Sequence, residues 1–406
     1  MIFSIAWRNI WRNKTRSIIM MTAIALGLFA GVFMIAFMQG MVDARIDSAT
    51  KTELAHLQVH APRFLDNNET SLLIDDAEKL TEQIAKTTGV VAASRRLVAE
   101  PFITAAHGTG GGRMIGIFPD QEKLVTDIFK FVKEGTYLEK SGRMPPVLIG
   151  EKLAKNLNLK VGSKINVQLV DLNGDLSSKG YRVCGIYKTS NTGYDEVHLF
   201  ALFTDLQTQL GIPENKAHEL AVVVNNGDEA ALVKPGIQKI TGTLDVQTWK
   251  ELSPEMSLLT DSMDQYMYIF VLIILLGLCF GIINTMLMAV LERTKEIGML
   301  MAIGMNKRRI FFMIILESVL LTLSGGVLGI FIGSLVTRFF SVHPIDLSMF
   351  AEGLEKYGYN TQIYASLQNQ TLVVITILVI LTGIISAVYP ARKALKLNPA
   401  EATRTD

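Results

Sequence analysis

The chain has 406 residues, of which 49% are hydrophobic and 19% charged, and its formal net charge is +1. That apolar share is high for a soluble protein and implies membrane-spanning segments, while a charge near zero gives no field that would hold nucleic acid, so a nucleic-acid partner is excluded. Its 6 histidines and 2 cysteines show no nucleophile or metal-ligand spacing, and Cys184 and Cys279 fall in polar and apolar sequence respectively, so no catalytic residue, no metal site and no disulfide framework is predicted.

Residues 1–16 alternate Ile2, Phe3, Ile5, Ala6, Trp7, Ile10 and Trp11 with Arg8, Arg12, Lys14 and Arg16, the pattern of an amphipathic helix lying in a membrane interface. Residues 17–42 carry no charge and exceed the apolar core of a cleaved signal peptide, so they are read as an uncleaved first span with its amino end in the cytoplasm. Ala23, Gly27 and Gly31 form a small-residue stripe along it that lets another helix approach.

Residues 43–264 are polar and mixed, with no run long enough to cross a bilayer, and must fold outside it. Two stretches share an outline. ELAHLQVHA at 53–61 leads to the helical DDAEKLTEQIAK at 75–86 and then RLVAEPFITA; ELAVVVNN at 219–226 leads to DEAALVKPGIQKI at 228–240 and then LDVQTW. Each reads strand, helix, strand, with Pro235 predicted to kink or interrupt the second helix. The reading is a duplicated unit with residues 119–217 inserted between its halves. In the insert, PVLIG, KINVQLV, YRVCGIY and VHLFALF are strands, and the turn formers of DLNGDLSSKG at 171–180 predict a protruding hairpin. HGTGGG at 107–112 lacks the Lys-Ser/Thr of a phosphate loop, and Arg113 stands where a dinucleotide fingerprint needs its last glycine, so it reads as a flexible hairpin tip. With no such loop in the chain, any ATP that powers it must be bound by a separate subunit.

Residues 253–264 are predicted to form a helix feeding into a second span at 265–291, where Gly277 and Gly281 repeat the small-residue spacing. A charged connector follows at 292–309, then a third span at 310–337 with Gly325, Gly329, Gly333 and one ionisable residue, Glu317, read as a structural contact rather than a proton relay. A short outer loop at 338–370, a fourth span at 371–390 and a tail at 391–406 complete the chain. The bias of basic residues toward short inner loops places Arg293, Lys295, Lys307, Arg308 and Arg309 of the connector, and Arg392, Lys393, Lys396 and Arg404 of the tail, in the cytoplasm with both termini. Within the connector Ile297, Leu300 and Met301 fall at helical spacing, predicting a short helix with an apolar ridge to offer a partner. The predicted fold class is an α+β membrane protein: four transmembrane helices with a large mixed α/β periplasmic domain inserted between the first and second.

The connector sequence ERTKEIGMLMAIGMNKRRI resembles the coupling-helix segment of the FtsX-like permease family, whose ABC transporters include the macrolide exporter MacB and the lipoprotein-releasing LolC/LolE subunits. The resemblance implies that Glu292, Arg293, Lys295, Glu296, Ile297 and Gly298 contact an ABC ATPase subunit of the LolD/MacB type. ATP and Mg would be held there and no cofactor by this chain. It also implies a second permease subunit, in a homo- or heterodimer, and residence in a bacterial inner membrane. YRVCGIYKTSNTGYDEVHLFALFTDLQTQLG resembles the matching stretch of the LolC/LolE type, in which a hairpin reaches a periplasmic lipoprotein chaperone. Carried over, that contact falls on Leu172, Asn173, Gly174, Asp175, Leu176, Ser177, Ser178 and Lys179; a solvated hairpin without a partner is the alternative. The tail's Pro399-Ala400-Glu401 resembles the family's terminal pattern. The implied function is a non-catalytic permease subunit that couples ATP hydrolysis to motion of the outer domain and releases lipoproteins, a reading favoured by the exit Met38-Gln39-Gly40-Met41 from the first span. A MacB-like exporter of peptides or toxins and an FtsX-like regulator of a cell-wall hydrolase are the alternatives.

Overall fold

The computed structural model describes residues 2–140 and 142–396, so Pro399-Ala400-Glu401 and Arg404 lie outside the described residues. The chain divides into two compact units. A helical unit takes the chain up to Val42, Thr260–Ile345 and the chain from Ile363 onward, and an α/β unit takes Asp43–Leu259 with Asp346–Gln362.

Four helices among the described residues are long and apolar enough to cross a membrane: Lys14–Leu54, Pro254–Glu292, Lys307–Phe340 and Asn369–Leu395. Each overruns the charge-free stretch that announces it, because extending an existing helix through polar flanks costs little once the first turn has formed. The amphipathic helix Ile2–Arg12 buries Ala6 and Ile10 and leaves Trp7 and Trp11 exposed. The hydroxyl of Ser17 donates to the carbonyl of Ile10 at 2.6 Å, fixing the corner between this helix and the first span.

Glycines set the packing of the spans. A Cβ placed on Gly329 would stand 2.6 Å from the carbonyl oxygen of Ala25, and one on Gly325 2.8 Å from that of Met21, so the first and third helices meet backbone to backbone. Gly333 faces Val32 in the same seam, while Gly27 and Gly31 receive Leu278 and Ile274 of the second helix. Gly277 and Gly281 differ from the expectation: apart from their chain neighbours and their own helix's backbone, no atom of the described residues lies within 4 Å of a Cβ at either. The cause is the sparse packing of their helix, of whose most apolar stretch 17% is buried against 44% for the first.

In the α/β unit the strands are β1 (Leu57–His60), β2 (Val90–Ala99), β3 (Phe102–Ala105), β4 (Gly108–Gly111), β5 (Arg113–Ile117) and β6 (Val132–Gly135). They continue with β7 (Pro146–Gly150), β8 (Lys164–Val170), β9 (Leu176–Tyr187), β10 (His198–Leu202), β11 (Glu219–Val224) and β12 (Asp245–Thr248). Among the described residues these form one sheet ordered β12-β1-β11-β2-β5-β10-β7-β9-β8-β3-β4, with β6 on β9. Its pairs are antiparallel except β5 with β10 and β7 with β9. Two strand–helix–strand passes interleave at one end. β1, helix Ala77–Ala85 and β2 make the first, and β11, helix Ala230–Thr241 and β12 the second. Ile84 and Ile237 of the two helices are buried in one core with Leu57, Val59, Leu97, Leu220 and Val222 of the strands.

Two local expectations are corrected. Helix Ala230–Thr241 continues through Pro235. The missing N–H costs one intrahelical bond, and Ala230 before the proline and Ile237 after it are both buried in the core, so the helix is not interrupted there. The glycines of HGTGGG are not a flexible tip: Gly108–Gly111 is strand β4, paired residue for residue with β3 from Phe102↔Gly111 to Ala105↔Gly108. Gly112 ends that strand in a tight place, where a Cβ would meet Leu199 at 2.8 Å and the Val197 carbonyl at 3.0 Å.

A charged row crosses the sheet. His60, Glu219 and Arg96 are register partners on β1, β11 and β2, and all are buried. Arg96 donates to Glu219 at 2.7 Å and twice to Glu122, at 2.7 and 3.2 Å; Thr126 donates to Glu122 at 2.9 Å. Burial alone would raise the Glu219 carboxyl, but Arg96 and the hydrogen bond from His60 together outweigh it and hold the group at about 2. Phe64 stacks between His60 and His218. Burial drives His218 down to about 4 against its bond to the Thr70 carbonyl. A histidine depressed in this way contributes stability above its unfolded value near 6.5 and loses it as pH falls toward 4. The stability of the wild type minus that of His218→Gln should therefore shrink by about 3 kcal/mol between pH 7 and pH 4. Urea unfolding followed by the fluorescence of buried Trp249, with Trp7 and Trp11 replaced by Phe, measures it; a pH-independent difference would show that His218 takes up its proton in the fold as readily as in the unfolded chain.

Candidate functional site

After Glu292 ends the second span, the connector forms its own helix, Thr294–Ala302, and the third span starts at Lys307. Gly304 makes the stop possible: at φ +94 it occupies the left-handed region, and Met305 N–H returns to the Leu300 carbonyl at 3.0 Å. Asn306 then caps the third helix, its side-chain oxygen accepting from the N–H of Arg308 at 3.0 Å.

Every charged residue on the inner side of this connector is already paired. Arg293 lies against Glu317 at 2.9 Å, and its other terminal nitrogen donates to the backbone carbonyl of Asn9 at 2.9 Å. Asn9 in turn donates from its side chain to Glu317 at 3.4 Å, so the carboxylate of the third span is buried between the connector and the amphipathic helix. Glu296 accepts both terminal nitrogens of Arg12, one of them at 2.7 Å, and Glu292 pairs with Arg16. The hydrogen bonds from Arg12 hold Glu296 below the usual carboxylate range. The amphipathic helix and the first turn of the helix Lys14–Ala49 thus clasp the connector from one side.

That clasp fixes which face of the short helix turns inward. Ile297 is buried with Met286, Val290, Ile310 and Ile314, Gly298 is buried beside it, and Leu300 and Met301 pack partly against the same core. The ridge of Ile297, Leu300 and Met301 predicted to face a partner therefore faces the chain's own helices, because the arginines of the amino-terminal segment hold the acidic edge. The outward apolar residues are Met299, 52% exposed, and Ile303, 85% exposed. Of the six connector residues expected to touch an ATPase, Lys295 is exposed and forms no ion pair among the described residues. Beside the helix lies a cavity of about 300 Å³, lined by Ile5, Met286, Ala289, Leu300, Met313 and Ile314, with Arg293 and Glu317 in its wall and Met299 and Ile303 also lining it.

The hairpin of the α/β unit is pinned rather than free. Asp171 accepts from the N–H groups of Asn173 and Asp175 at 2.9 Å to make the turn, Leu172 N–H donates to the Leu210 carbonyl at 2.9 Å, and Lys179 reaches the Asp205 carbonyl at 3.0 Å. Asn173, Gly174, Asp175, Leu176 and Ser178 remain exposed, with Ser177 half-buried. Among the described residues no group of His, Cys, Asp or Glu side chains is arranged to hold a metal ion. Asn9, Arg12 and Arg16 were not singled out as connector partners from the sequence; the basic charge of the amphipathic segment was visible, but the pairing across 276 to 308 residues of chain was not.

Residues 17–240 match the MacB-like periplasmic core domain family, and residues 268–399 match the FtsX-like permease C-terminal family. An uncharacterized ABC transporter permease of Methanocaldococcus jannaschii is 30% identical over 282 residues, 67% of this chain and 65% of that protein. The macrolide export ATP-binding/permease protein MacB of Agrobacterium fabrum is 25% identical over 420 residues, 98% of this chain and 59% of that protein. The lipoprotein-releasing system transmembrane protein LolC of Neisseria meningitidis serogroup B is 22% identical over 417 residues, 97% of this chain and 95% of that protein. The chain thus spans less than two thirds of the first two relatives. With both family domains in their expected order around the clasped connector, the chain belongs to the FtsX/MacB-type family of ABC transporter permeases.

Proposed function

We propose that this chain is the membrane subunit of a mechanically coupled ABC transporter, in which a separate ATPase binds ATP and Mg and its closure is passed through the helices to the domain of residues 43–264. The observation that carries the reading is the clasped connector: a push on helix Thr294–Ala302 is resisted at once by Arg12, Arg16, Asn9 and Glu317, and so cannot be absorbed locally. The chain would sit in a bacterial inner membrane beside a second permease subunit, with the connector and both termini cytoplasmic, as the basic residues of the inner loops favour. Its cargo would be lipoproteins released toward the outer membrane. The end-to-end match to LolC supports this cargo. The exposed residues of the hairpin, Asn173 to Leu176 and Ser178, would then meet a periplasmic carrier. The second reading, export of peptides or toxins, is supported by the MacB match along 98% of this chain.

The test is affinity purification of the tagged full chain from detergent-solubilised membranes, followed by reconstitution of what co-purifies. A stoichiometric ATPase and ATP-dependent release of a lipoprotein from proteoliposomes are the expected results. An ATPase accompanied by a periplasmic adaptor would favour export, and absence of any ATPase would remove the permease reading.

A further inference from the structure

We propose that the loop between the third and fourth spans is a brace that carries motion of the third span into the α/β unit, and that Lys188, Glu355, Gly358 and Gly40 are the residues that hold it in place. This rests on the permease reading and adds to it the residues that pass the motion on.

The α/β unit is more than an insertion between the first two spans, because Asp346–Gln362 belongs to it as well. The chain therefore passes between the two units at 42–43, 259–260, 345–346 and 362–363, and the third and fourth spans have a connection of their own. Within the α/β unit the loop is tied twice. Its helix Ala351–Lys356 carries Glu355, which accepts from the ammonium of Lys188, one residue past β9, at 2.8 Å. The two side chains are 20% and 26% exposed, so an unmatched charge there is costly, whereas a fully exposed pair would contribute little. Gly358, at φ +76, then brings the loop's backbone onto the guanidinium of Arg45, where a Cβ would stand 2.7 Å from Cζ. Arg45 is itself held by Glu53 at 3.4 Å, and Glu53 accepts from Asn191 at 2.9 Å.

The returning limb is tied within the helical unit. Ser366 N–H donates to the Ala36 carbonyl of the first span at 3.0 Å, and a Cβ on Gly40 would stand 2.0 Å from the carbonyl oxygen of Tyr364. The glycine of the exit Met38-Gln39-Gly40-Met41 thus admits the limb, as no other residue would. At the opposite end, one continuous helix, Lys307–Phe340, starts at the connector, carries Glu317 with its bond to Arg293, and leads into this loop. A rigid helix delivers at its last turn an axial shift imposed near its first.

The measurement is the ATP-dependent change in hydrogen exchange summed over residues 43–264, in the complex purified with its ATPase, for the wild type, Lys188→Glu, Glu355→Lys, the two changes together, and Gly40→Ala. Each single reversal should cut that response at least threefold with the ATPase rate within twofold of the wild type, and the exchanged pair should restore it. Gly40→Ala should act like the single reversals without altering any charge. A wild-type response in both reversals, or no rescue by the exchanged pair, would overturn the brace and leave the permease reading intact. Faster exchange throughout 43–264 without ATP would make the pair a fold contact only and overturn it as well. If no ATPase accompanies the wild-type chain, the permease reading falls first.

Discussion

Arg96→Ala should cost the α/β unit about 3–5 kcal/mol, the usual cost of removing one partner from a buried ion pair. The side chain is buried and is the only cation bonded to both Glu122 and Glu219 among the described residues, so its loss leaves two carboxylates inside the fold without a counter-charge. Their remaining donors, Thr126 on Glu122 and His60 on Glu219, are a hydroxyl and an imidazole 3.3 Å away. The variant should recover stability on mild acidification, as Glu219, without its counter-charge, takes up a proton, whereas the wild type should lose it. Replacing Arg96, Glu122 and Glu219 together by Met, Leu and Leu should restore most of the loss, because a well-packed apolar trio avoids the desolvation of all three charges. Urea unfolding reported by Trp249 decides the matter; a loss under about 1 kcal/mol would mean that water reaches the carboxylates in the fold.

Glu317→Ala should have its largest effect on coupling. It leaves the guanidinium of Arg293 with the Asn9 carbonyl alone, and releases the amphipathic helix and the connector from their common anchor on the third span. The expected result is at least a tenfold drop in cargo moved per ATP hydrolysed, with the ATPase still bound. Glu317→Gln keeps an acceptor for Arg293 and should lose less. On stability, the double change Arg293→Met and Glu317→Leu should cost less than the sum of the single changes by about 1–3 kcal/mol, the interaction term of a contacting pair. Full coupling in Glu317→Ala would show that the pair only packs the helices and carries no force.

How much of this was legible in the sequence depends on the range over which each signal acts. The four apolar helices and the short connector helix follow from runs of residues next to one another, and so do the strands of the insert. The turn at Asp171–Gly174 follows from its own turn formers. The orientation of the connector does not: periodicity located the ridge of Ile297, Leu300 and Met301, but which way it faces is set by Arg12 and Arg16, nearly three hundred residues earlier. The same limit explains Gly108–Gly111. Their composition says turn, and their pairing with β3, itself held by β8, makes them a strand. Glu317 could be recognised as out of place in an apolar run, while its partners Asn9 and Arg293 could be named only from the fold.

The row of His60, Glu219 and Arg96 has a consequence for how the sheet is assembled. β1 and β2 reach the chain's interior early, whereas β11 must find its place between them after about 120 further residues, with no tight turn to set its alignment. Side chains alternate between faces along a strand, so an alignment wrong by one residue would turn Glu219 away from Arg96 and leave the guanidinium with two of its three hydrogen bonds, both to Glu122. The apolar residues of β11, Leu220 to Val224, would tolerate such a slip far better, since all of them are apolar and most are buried. The charged row therefore acts as a key cut for one alignment: it adds little to the strength of the correct pairing and much to the cost of every neighbouring one.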